Sequence, residues 1–249
     1  MSRPRTTRTH IHTADPRTAA TAIDTSQLLR LLHLASPALP IGAFHFSQGL
    51  EYAVECGWVK DEASALEWID GIATASLATL DLPVLDRLRT AWRQEDFPAV
   101  QRWNVFLIAS RETEELRAED RHLGSALLRV LAELELTTDL FPPGAANTPP
   151  GVAHASAFAF ACARWNIEPQ SCASTYAWAW AENLVLGAVK LVPLGQSAAQ
   201  RMLHALCARI PLLVERAHKL TDSDIGISTA MSAVASGRHE TQYSRLFKS

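Results

Sequence analysis

The sequence ASTYAWAWAENLVLGAVKLV, residues 173–192, is apolar on almost every side of the helix that it would form. Such a segment is either a membrane span or a helix buried at the centre of a bundle. Glu182 and Asn183 lie in its middle, and one central acidic residue costs about 2.5–3.5 kcal/mol on insertion scales. We therefore interpret the segment as the central buried helix of a bundle.

Helical spacing of apolar residues continues on both sides of this segment, and no stretch alternates for long with the period of two that a strand requires. Upstream, the pattern predicts helices from Ser26, over 44–56, from Asp61 as an N-cap, from Asp81 through Trp92, from Phe97, and over 100–136. Downstream, it predicts helices over 153–165, 170–191 and 195–208 and further helical stretches to about Ala235. The sequence therefore predicts an all-α protein, a compact single-domain bundle of about ten helices with no significant β-sheet.

The composition supports a globular core and argues against some partners. Of the 249 residues, 48% are hydrophobic, which is enough for a substantial core. The formal net charge is −3, so we expect no field that would hold a polyanion and no nucleic-acid partner. The cysteines Cys56, Cys162, Cys172 and Cys207 form no CxxC pair, which favours free thiols in a reducing cytoplasm over disulfide bonds.

Three segments outside the predicted helices organise the chain. Residues 1–25 are polar and lack the apolar core of a secretory signal, so they are predicted to be a flexible arm of a cytoplasmic protein without a membrane span. TTDLFPPGAANTPPG, residues 137–151, holds four prolines and is predicted to be a loop inside one helical domain, residues 26–235. Residues 236–249 are predicted to be a tail that binds a partner.

Motifs for enzymatic chemistry are missing from the sequence. It contains no GxxxxGK[ST] phosphate loop, no GxSxG nucleophile elbow and no HExxH zinc helix. His204 and Cys207 could share a helix face toward a soft metal, but two ligands make a poor site. The charged stretch RETEELRAEDR, residues 111–121, is expected on an exposed face where acids keep their ordinary pKa values. We therefore expect no catalytic residue, no metal ligand and no enzyme activity.

Three short stretches are more elaborate than helix packing requires. SPALPIGAFHFSQGLEYA, residues 36–53, places Phe44 and Phe46 after a turn, and KLVPLGQSAAQ, residues 190–200, ends one helix and begins another. ASGRHETQYSRLFKS, residues 235–249, combines basic, aromatic and aliphatic side chains as interface hot spots do. The residues alone also allow an interhelical loop for the first stretch, local capping for the second, and folding back on the body for the third.

Together these stretches resemble the UreF family of urease accessory proteins. The family pattern SPxLPxGxFxxSxGLE is matched by residues 36–51, the PLGQ junction by residues 193–196, and the terminal HETQYSRLF by residues 239–247. RETEELR, residues 111–117, also resembles the middle helix of the family. The three separated motifs occur in the same order, and the resemblance extends from about Ser26 to the last residue.

The resemblance implies an all-helical protein that forms a homodimer and acts as a non-catalytic adaptor in urease maturation. UreF-like proteins join the accessory protein UreD, called UreH in some species, to the GTPase UreG, and the assembly delivers nickel to apo-urease. The assembled complex would handle the nickel, and this chain would need no cofactor. Two other roles stay open, namely regulation of GTP hydrolysis by UreG through Lys190 or Arg245, and carriage of nickel by His and Cys side chains.

Two sets of partner-binding residues follow from the matched motifs. The UreD side would be the terminal segment, which would become ordered against UreD, and its members are Arg238, His239, Glu240, Gln242, Tyr243, Arg245, Leu246 and Phe247. The UreG side would be formed by the first two motifs, and its members are Pro40, Gly42, Phe44, Ser47, Gly49, Glu51, Lys190, Pro193, Gly195 and Gln196.

Overall fold

The computed structural model describes residues 24–136, 151–226 and 229–249, and every regular element in these ranges is helical. The predicted all-α bundle is therefore confirmed. The predicted arm, apart from its last two residues, and the proline-rich loop, apart from Gly151, lie outside the described ranges. The α-helices are α1 (Thr25–Ala35), α2 (Leu50–Glu55), α3 (Glu62–Ile72), α4 (Leu82–Gln94), α5 (Phe97–Ala109), α6 (Glu114–Glu133), α7 (His154–Arg164), α8 (Pro169–Leu191), α9 (Gln196–Lys219) and α10 (Ala230–His239).

Helix α8 lies at the centre of the bundle. It packs against α1, α2, α3, α4, α7 and α9, as its nearly uniform apolar surface predicts. Cys172, Ala177, Val185 and Ala188 along its length are almost completely buried. The small residues among them let neighbouring helices approach closely. The larger part of the core lies where α4 packs on α7, around Phe158 and other buried aromatic and aliphatic side chains.

Several predicted helix boundaries are confirmed, and others are corrected. Asp61 is the N-cap of α3, where its carboxylate accepts a hydrogen bond from the backbone N–H of Ser64 at 2.9 Å. The helix predicted over 44–56 is instead a 3₁₀ turn, Ala43–His45, followed by the short α2. The helix predicted over 100–136 is interrupted at residues 110–113, so it becomes the end of α5 and the whole of α6.

Helix α9 continues to Lys219 although Pro211 lies inside it. A proline in a helix interior costs about 3 kcal/mol because it removes a hydrogen bond and clashes with the preceding turn. Ile210, Leu213 and Val214 are buried around it, and burying each such side chain contributes about 1.5–3 kcal/mol. The apolar face therefore outweighs the proline, and the predicted end near residue 208 is wrong.

A π-helical segment, Ala73–Asp81, joins α3 to α4, so α4 begins at Leu82, next to the predicted start at Asp81, without a break in the helical backbone. The hydrogen-bond pattern of a π-helix differs from that of an α-helix. Here the backbone carbonyl of Thr79 accepts a hydrogen bond from outside the helix, from the N–H of Gly226 at 3.1 Å. The resulting helical stretch, Glu62–Gln94, is the one described stretch long and apolar enough to cross a membrane. Because 67% of its most apolar part is buried inside the protein, this segment is a core element of the bundle.

The expectation that residues 111–121 form an exposed face is wrong for most of them, because only Glu112, Glu114 and Ala118 are exposed. Arg111 donates to Asp81 at 2.5 Å and to Asp120 at 3.0 Å, and both carboxylates are buried. Asp120 also accepts a hydrogen bond from the backbone N–H of His154 at 2.7 Å. Burial raises the pKa of Asp81, and Arg111 opposes that effect. This buried ion-pair network joins the π-helical segment, α6 and α7, and Glu119 beside it is buried as well.

Candidate partner-binding site

The three stretches that the sequence singled out converge in the structure. Helix α10 packs against α2, and the chain after α10 folds back over the first motif. Gly49, the N-cap of α2, has φ +80°, and a Cβ atom on it would lie 2.9 Å from the backbone nitrogen of Ser236. Glycine is therefore required at this position both by the left-handed backbone and by the close approach of α10.

Glu51 is the main anchor of the tail. Its carboxylate accepts hydrogen bonds from the backbone N–H groups of Leu246 at 2.6 Å and Phe247 at 2.8 Å. The same carboxylate lies 3.1 Å from Nε2 of His239, which is completely buried. Hydrogen bonds to an ionised acceptor are worth about 1.5–3 kcal/mol each. Glu51 therefore fixes both the end of α10 and the last residues of the tail.

Glu115 of α6 completes this anchor from the opposite side. Its Oε2 lies 2.7 Å from Nδ1 of His239, and its Oε1 accepts a hydrogen bond from Arg245 at 2.6 Å. An ionised carboxylate only accepts hydrogen bonds, so both ring nitrogens of His239 donate only if both carry protons. The His239 ring therefore lies between the carboxylates of Glu51 and Glu115, and Arg245 pairs with Glu115.

The end of the tail is held by a second set of hydrogen bonds. The backbone N–H of Ser47 donates to the carbonyl of Ser249 at 2.9 Å, and the Ser47 hydroxyl donates to the same oxygen. The Ser249 hydroxyl donates to Glu119 at 2.7 Å, and Gln48 donates to the other oxygen of Glu119 at 2.7 Å. Gln48 in turn accepts a hydrogen bond from the indole of Trp180 in α8 at 3.0 Å. Polar groups of the first motif, from both its backbone and its side chains, therefore hold the end of the tail in place.

Burial gives Glu119 an unusual protonation equilibrium. It raises the pKa of this carboxyl from 4.5 to about 7, against the opposing hydrogen bonds from Gln48 and Ser249. The folded chain therefore keeps a proton between pH 4.5 and about 7 that the unfolded chain has released. By linkage, the contribution of Glu119 to stability is present at low pH and is lost as the pH rises through this window.

We expect Glu119→Gln to remove this pH dependence. The amide is neutral at every pH and can still accept from Gln48 and donate to Ser249. The free energy of unfolding, measured with urea at several pH values, should fall less between pH 5 and pH 8 in the variant, by up to about 3 kcal/mol. Burial lowers the pKa of His154 to about 4, which affects both proteins equally, so the difference between their curves isolates Glu119. Parallel curves would contradict this assignment.

Lys190 connects the second motif to the other two. Its Nζ lies 5.6 Å from the ring centroid of Phe44 and 5.7 Å from that of Phe247, which is within the range of cation–π attraction. The ring of Phe247 packs on Gly187, one helical turn earlier in α8. Pro193, Gly195 and Gln196 lie exposed at the α8–α9 junction beyond it.

The structure distinguishes residues that hold the site from residues that face solvent. Buried members of the predicted sets are Ser47, Gly49, Glu51, His239 and Phe247. Exposed members are Pro40, Phe44, Lys190, Pro193, Gly195, Gln196, Arg238, Glu240, Tyr243, Arg245 and Leu246, while Gly42 and Gln242 are half-buried. The exposed and half-buried members can contact a partner without rearrangement, whereas the buried members cannot.

Two features of the predicted site are corrected. The tail is already packed in the single chain, whereas the sequence suggested a segment that becomes ordered against a partner. The two predicted sets are also not separate surfaces, because Glu51 of one set binds the backbone of Leu246 and Phe247 of the other. Sequence reasoning missed Gln48, Glu115, Glu119 and Ser249 as members of the site. Glu115 and Glu119 lie four residues apart in α6, which is the spacing of side chains on one helix face.

The described residues offer no obvious centre for metal chemistry. No group of three or more His, Cys, Asp or Glu side chains in residues 24–136, 151–226 and 229–249 is arranged to hold a metal ion. His204 and Cys207, the pair considered from the sequence, are both exposed on α9. The geometry of the site instead consists of buried anchors beneath exposed aromatic, aliphatic and basic side chains.

Comparison with known proteins places this architecture in a family. The sequence profile of the UreF family matches residues 59–207. The chain is 49% identical to the urease accessory protein UreF of Azoarcus sp. (strain BH72) over 228 residues, which cover 89% of this chain and 95% of that protein. It is 45% identical over 222 residues to the UreF of Alkalilimnicola ehrlichii, covering 88% and 95% of the two chains. It is 44% identical over 223 residues to the UreF of Klebsiella pneumoniae (strain 342), covering 90% and 98%. The chain therefore belongs to the UreF family of urease accessory proteins.

Proposed function

We propose that this chain is a non-catalytic adaptor that joins UreD (UreH) to the GTPase UreG during nickel insertion into apo-urease. Membership of a family named for urease accessory proteins supports a role in urease maturation. The observation that carries the adaptor role is the tail, in which buried anchors hold large side chains out in solvent. Nickel is the cargo of the assembled complex in this proposal, and a cytoplasmic homodimer is the form in which we expect the chain to act.

The tail has the properties of a preorganised binding surface. Tyr243 is fully exposed and Leu246 is 67% exposed, although Leu246 lies next to the buried Phe247. Arg238 is exposed on the same segment. Tyrosine and arginine are enriched at interface hot spots, and a surface that is already rigid loses less entropy when it binds. We therefore assign the UreD contact to Tyr243, Leu246 and their exposed neighbours.

The first and second motifs offer a second exposed surface for UreG. Pro40 and Phe44 project from the turn before α2, and Lys190 and Gln196 project from the ends of α8 and α9. Phe44 is 52% exposed although it is a large aromatic residue. An apolar ring beside a lysine suits a protein interface better than solvent. An adaptor needs two such surfaces, and this one is connected to the tail through Lys190 and Phe247.

The UreD contact can be tested without disturbing the fold. We expect the double variant Tyr243→Ala with Leu246→Ala to weaken binding to purified UreD by about 100-fold or more, because both side chains are exposed and both are lost. Its melting temperature should match that of the wild type. Leu212→Ala on α9, at a residue that is 61% exposed, is the matched control and should bind UreD normally. Normal binding by the double variant in calorimetry would refute the tail's role.

Regulation of the GTPase is a second candidate, favoured by the position of Lys190. Its ammonium group is exposed yet restrained between Phe44 and Phe247, so it could reach a developing phosphate charge on UreG. Arg245, the other residue considered from the sequence, is already paired with Glu115. This candidate predicts that the wild type accelerates GTP turnover by UreG and that Lys190→Ala does not. Equal turnover with and without the wild type would eliminate it.

A further inference from the structure

A local concentration of basic groups lies beside the first motif, although the whole chain is acidic. A Cβ atom on Gly42 would lie 3.2 Å from Nε2 of His122 and 3.5 Å from Cδ2 of His45, so the two imidazoles flank the same glycine. The carbonyl of His45 accepts a hydrogen bond from the backbone N–H of Lys248 at 2.8 Å. The turn, helix α6 and the tail therefore each contribute a basic side chain to one place.

Two further cations extend this surface. Arg129 lies seven residues after His122, on the same side of α6, and both residues are exposed. The positive charges of Lys248, Arg129 and His45 join burial in lowering the pKa of His122, which places all three within electrostatic reach of that ring. Lys190 reaches the other edge of the turn, where it lies over Phe44, and the Phe44 ring is 4.0 Å from that of His45. We name these five residues, His45, His122, Arg129, Lys190 and Lys248, the cationic surface.

The cationic surface forms no salt bridge within the described part of the chain. None of the ion pairs formed by the described residues includes any of its five members. Five acids line the cavity beside it, which is also lined by Phe44, namely Asp81, Glu112, Glu119, Asp120 and Glu182. Asp81 and Asp120 are paired with Arg111. Glu119 is engaged with Gln48 and Ser249, and burial raises the pKa of both Glu119 and Glu182. Arg129, Lys190 and Lys248 therefore lie exposed without a salt bridge to any described acid.

We propose that the cationic surface is the docking site for an acidic face of a protein partner. This inference rests on the proposed function, in which the same side of the molecule meets UreG, and it adds that the contact is driven by charge. Carboxylates on the partner would pair with Arg129, Lys190 and Lys248, which lie around His45 and His122. Such pairing speeds encounter and selects the orientation of docking.

A folded protein fits this surface better than a nucleic acid or a membrane. The 20 other Lys and Arg residues are outnumbered by 26 Asp and Glu residues, so a uniformly charged polyanion would be repelled by the rest of the chain. Pro40 and Phe44 add exposed apolar area at the edge of the surface, as the centre of a protein interface requires. A partner with one local acidic patch satisfies both conditions.

Charge reversal tests this proposal. We expect the variant Arg129→Glu with Lys248→Glu to weaken binding to purified UreG by about tenfold or more at low ionic strength. The affinity of the wild type should fall steeply between about 50 mM and about 500 mM salt, and that of the variant should change little. Binding of UreD to the single variant Arg129→Glu, which leaves the tail unchanged, should stay as in the wild type. Both substituted side chains are exposed, so circular dichroism and the melting temperature should not change.

Two controls complete the experiment. Lys60→Glu with Arg93→Glu alters the net charge equally at exposed residues of other surfaces and should leave UreG binding within about threefold of the wild type. The milder pair Arg129→Gln with Lys248→Gln should have an intermediate effect. Short duplex DNA and vesicles containing phosphatidylserine serve as probes of the other partner classes, and we expect neither to bind at physiological salt.

The possible outcomes distinguish failure of the cationic docking site from failure of the proposed adaptor function. Normal binding and normal salt dependence of the charge-reversal variant would overturn the cationic docking site and leave the adaptor function standing. Binding of DNA or vesicles that the variant abolishes, with UreG unaffected, would overturn it in favour of another class of partner. A wild type that binds neither UreD nor UreG would remove the proposed function and this inference with it.

Discussion

Replacement of Arg111 by methionine is expected to lower the free energy of unfolding by about 3–5 kcal/mol. Asp81 and Asp120 are buried on either side of this guanidinium, and the variant would leave both carboxylates without their cation. In a chain of this size the loss corresponds to a fall of roughly 10 °C in the melting temperature. Urea unfolding followed by circular dichroism measures the effect directly.

Two further variants identify the cause of that loss. Arg209→Met removes a surface pair with Asp70, in which both side chains keep substantial exposure, and should cost less than about 1 kcal/mol. Asp81→Asn added to Arg111→Met should recover part of the loss, because an amide costs less than a carboxylate to bury unpaired. If the Arg111 and Arg209 variants were equally stable, the buried network would have no special role.

Replacement of Glu51 by alanine is expected to detach the tail while the bundle stays folded. The change removes the acceptor of the Leu246 and Phe247 N–H groups and one of the two carboxylates that contact His239. Two hydrogen bonds to a charged acceptor are worth about 3–6 kcal/mol together, so protection of these two amides from hydrogen exchange should fall by about 100-fold or more. Affinity for UreD should fall with it, because Tyr243 and Leu246 lose their support.

The exchange measurement contains its own reference. Amides of α4 and α7, which form the larger part of the core, should exchange as slowly in Glu51→Ala as in the wild type. Glu51→Gln keeps one acceptor oxygen and should give intermediate protection. Unchanged protection of Leu246 and Phe247 in the alanine variant would mean that the Phe247 ring and the contact of Ser47 with Ser249 hold the tail by themselves.

The sequence predicted the elements that depend on local rules. Asp61 was identified as an N-cap because an acid before an apolar helical pattern has that role, and residues 173–192 were identified as the central helix from composition. The π-helical segment Ala73–Asp81 has no such local signature. Its backbone depends on distant groups, among them Gly226, which donates to the carbonyl of Thr79, and Arg111, which pairs with Asp81.

The burial of Glu119 and Asp120 shows how a visible signal was misread. Both residues fall between Leu116 and Leu123, in the stripe that also includes Leu127, and this spacing places them toward the core. Because both residues are charged, they were predicted from the sequence to be exposed to solvent. Acids inside an apolar stripe indicate a buried polar network, and here that network stabilises α6 against the tail and the π-helical segment.

The matched motifs located the candidate site. The structure was needed to show which of its residues are buried anchors and which are exposed to a partner. Family resemblance alone treated Glu51, His239 and Phe247 as surface residues equivalent to Tyr243 and Leu246. Burial separates the two kinds, because the first three are anchors and the last two face solvent. The basic neighbours His122, Arg129 and Lys248 were not predicted, since the first two lie on α6 and Lys248 lies in the tail, and these segments meet only in the fold.

The adaptor role is tested most directly by the mass of the complex that forms when this chain is co-expressed with UreD and UreG. Size-exclusion chromatography with light scattering should show one stable species that contains all three proteins. The variant Tyr243→Ala with Leu246→Ala should release UreD from that species and keep UreG. Three proteins that elute separately, or a mixed species that forms equally well without this chain, would contradict the account.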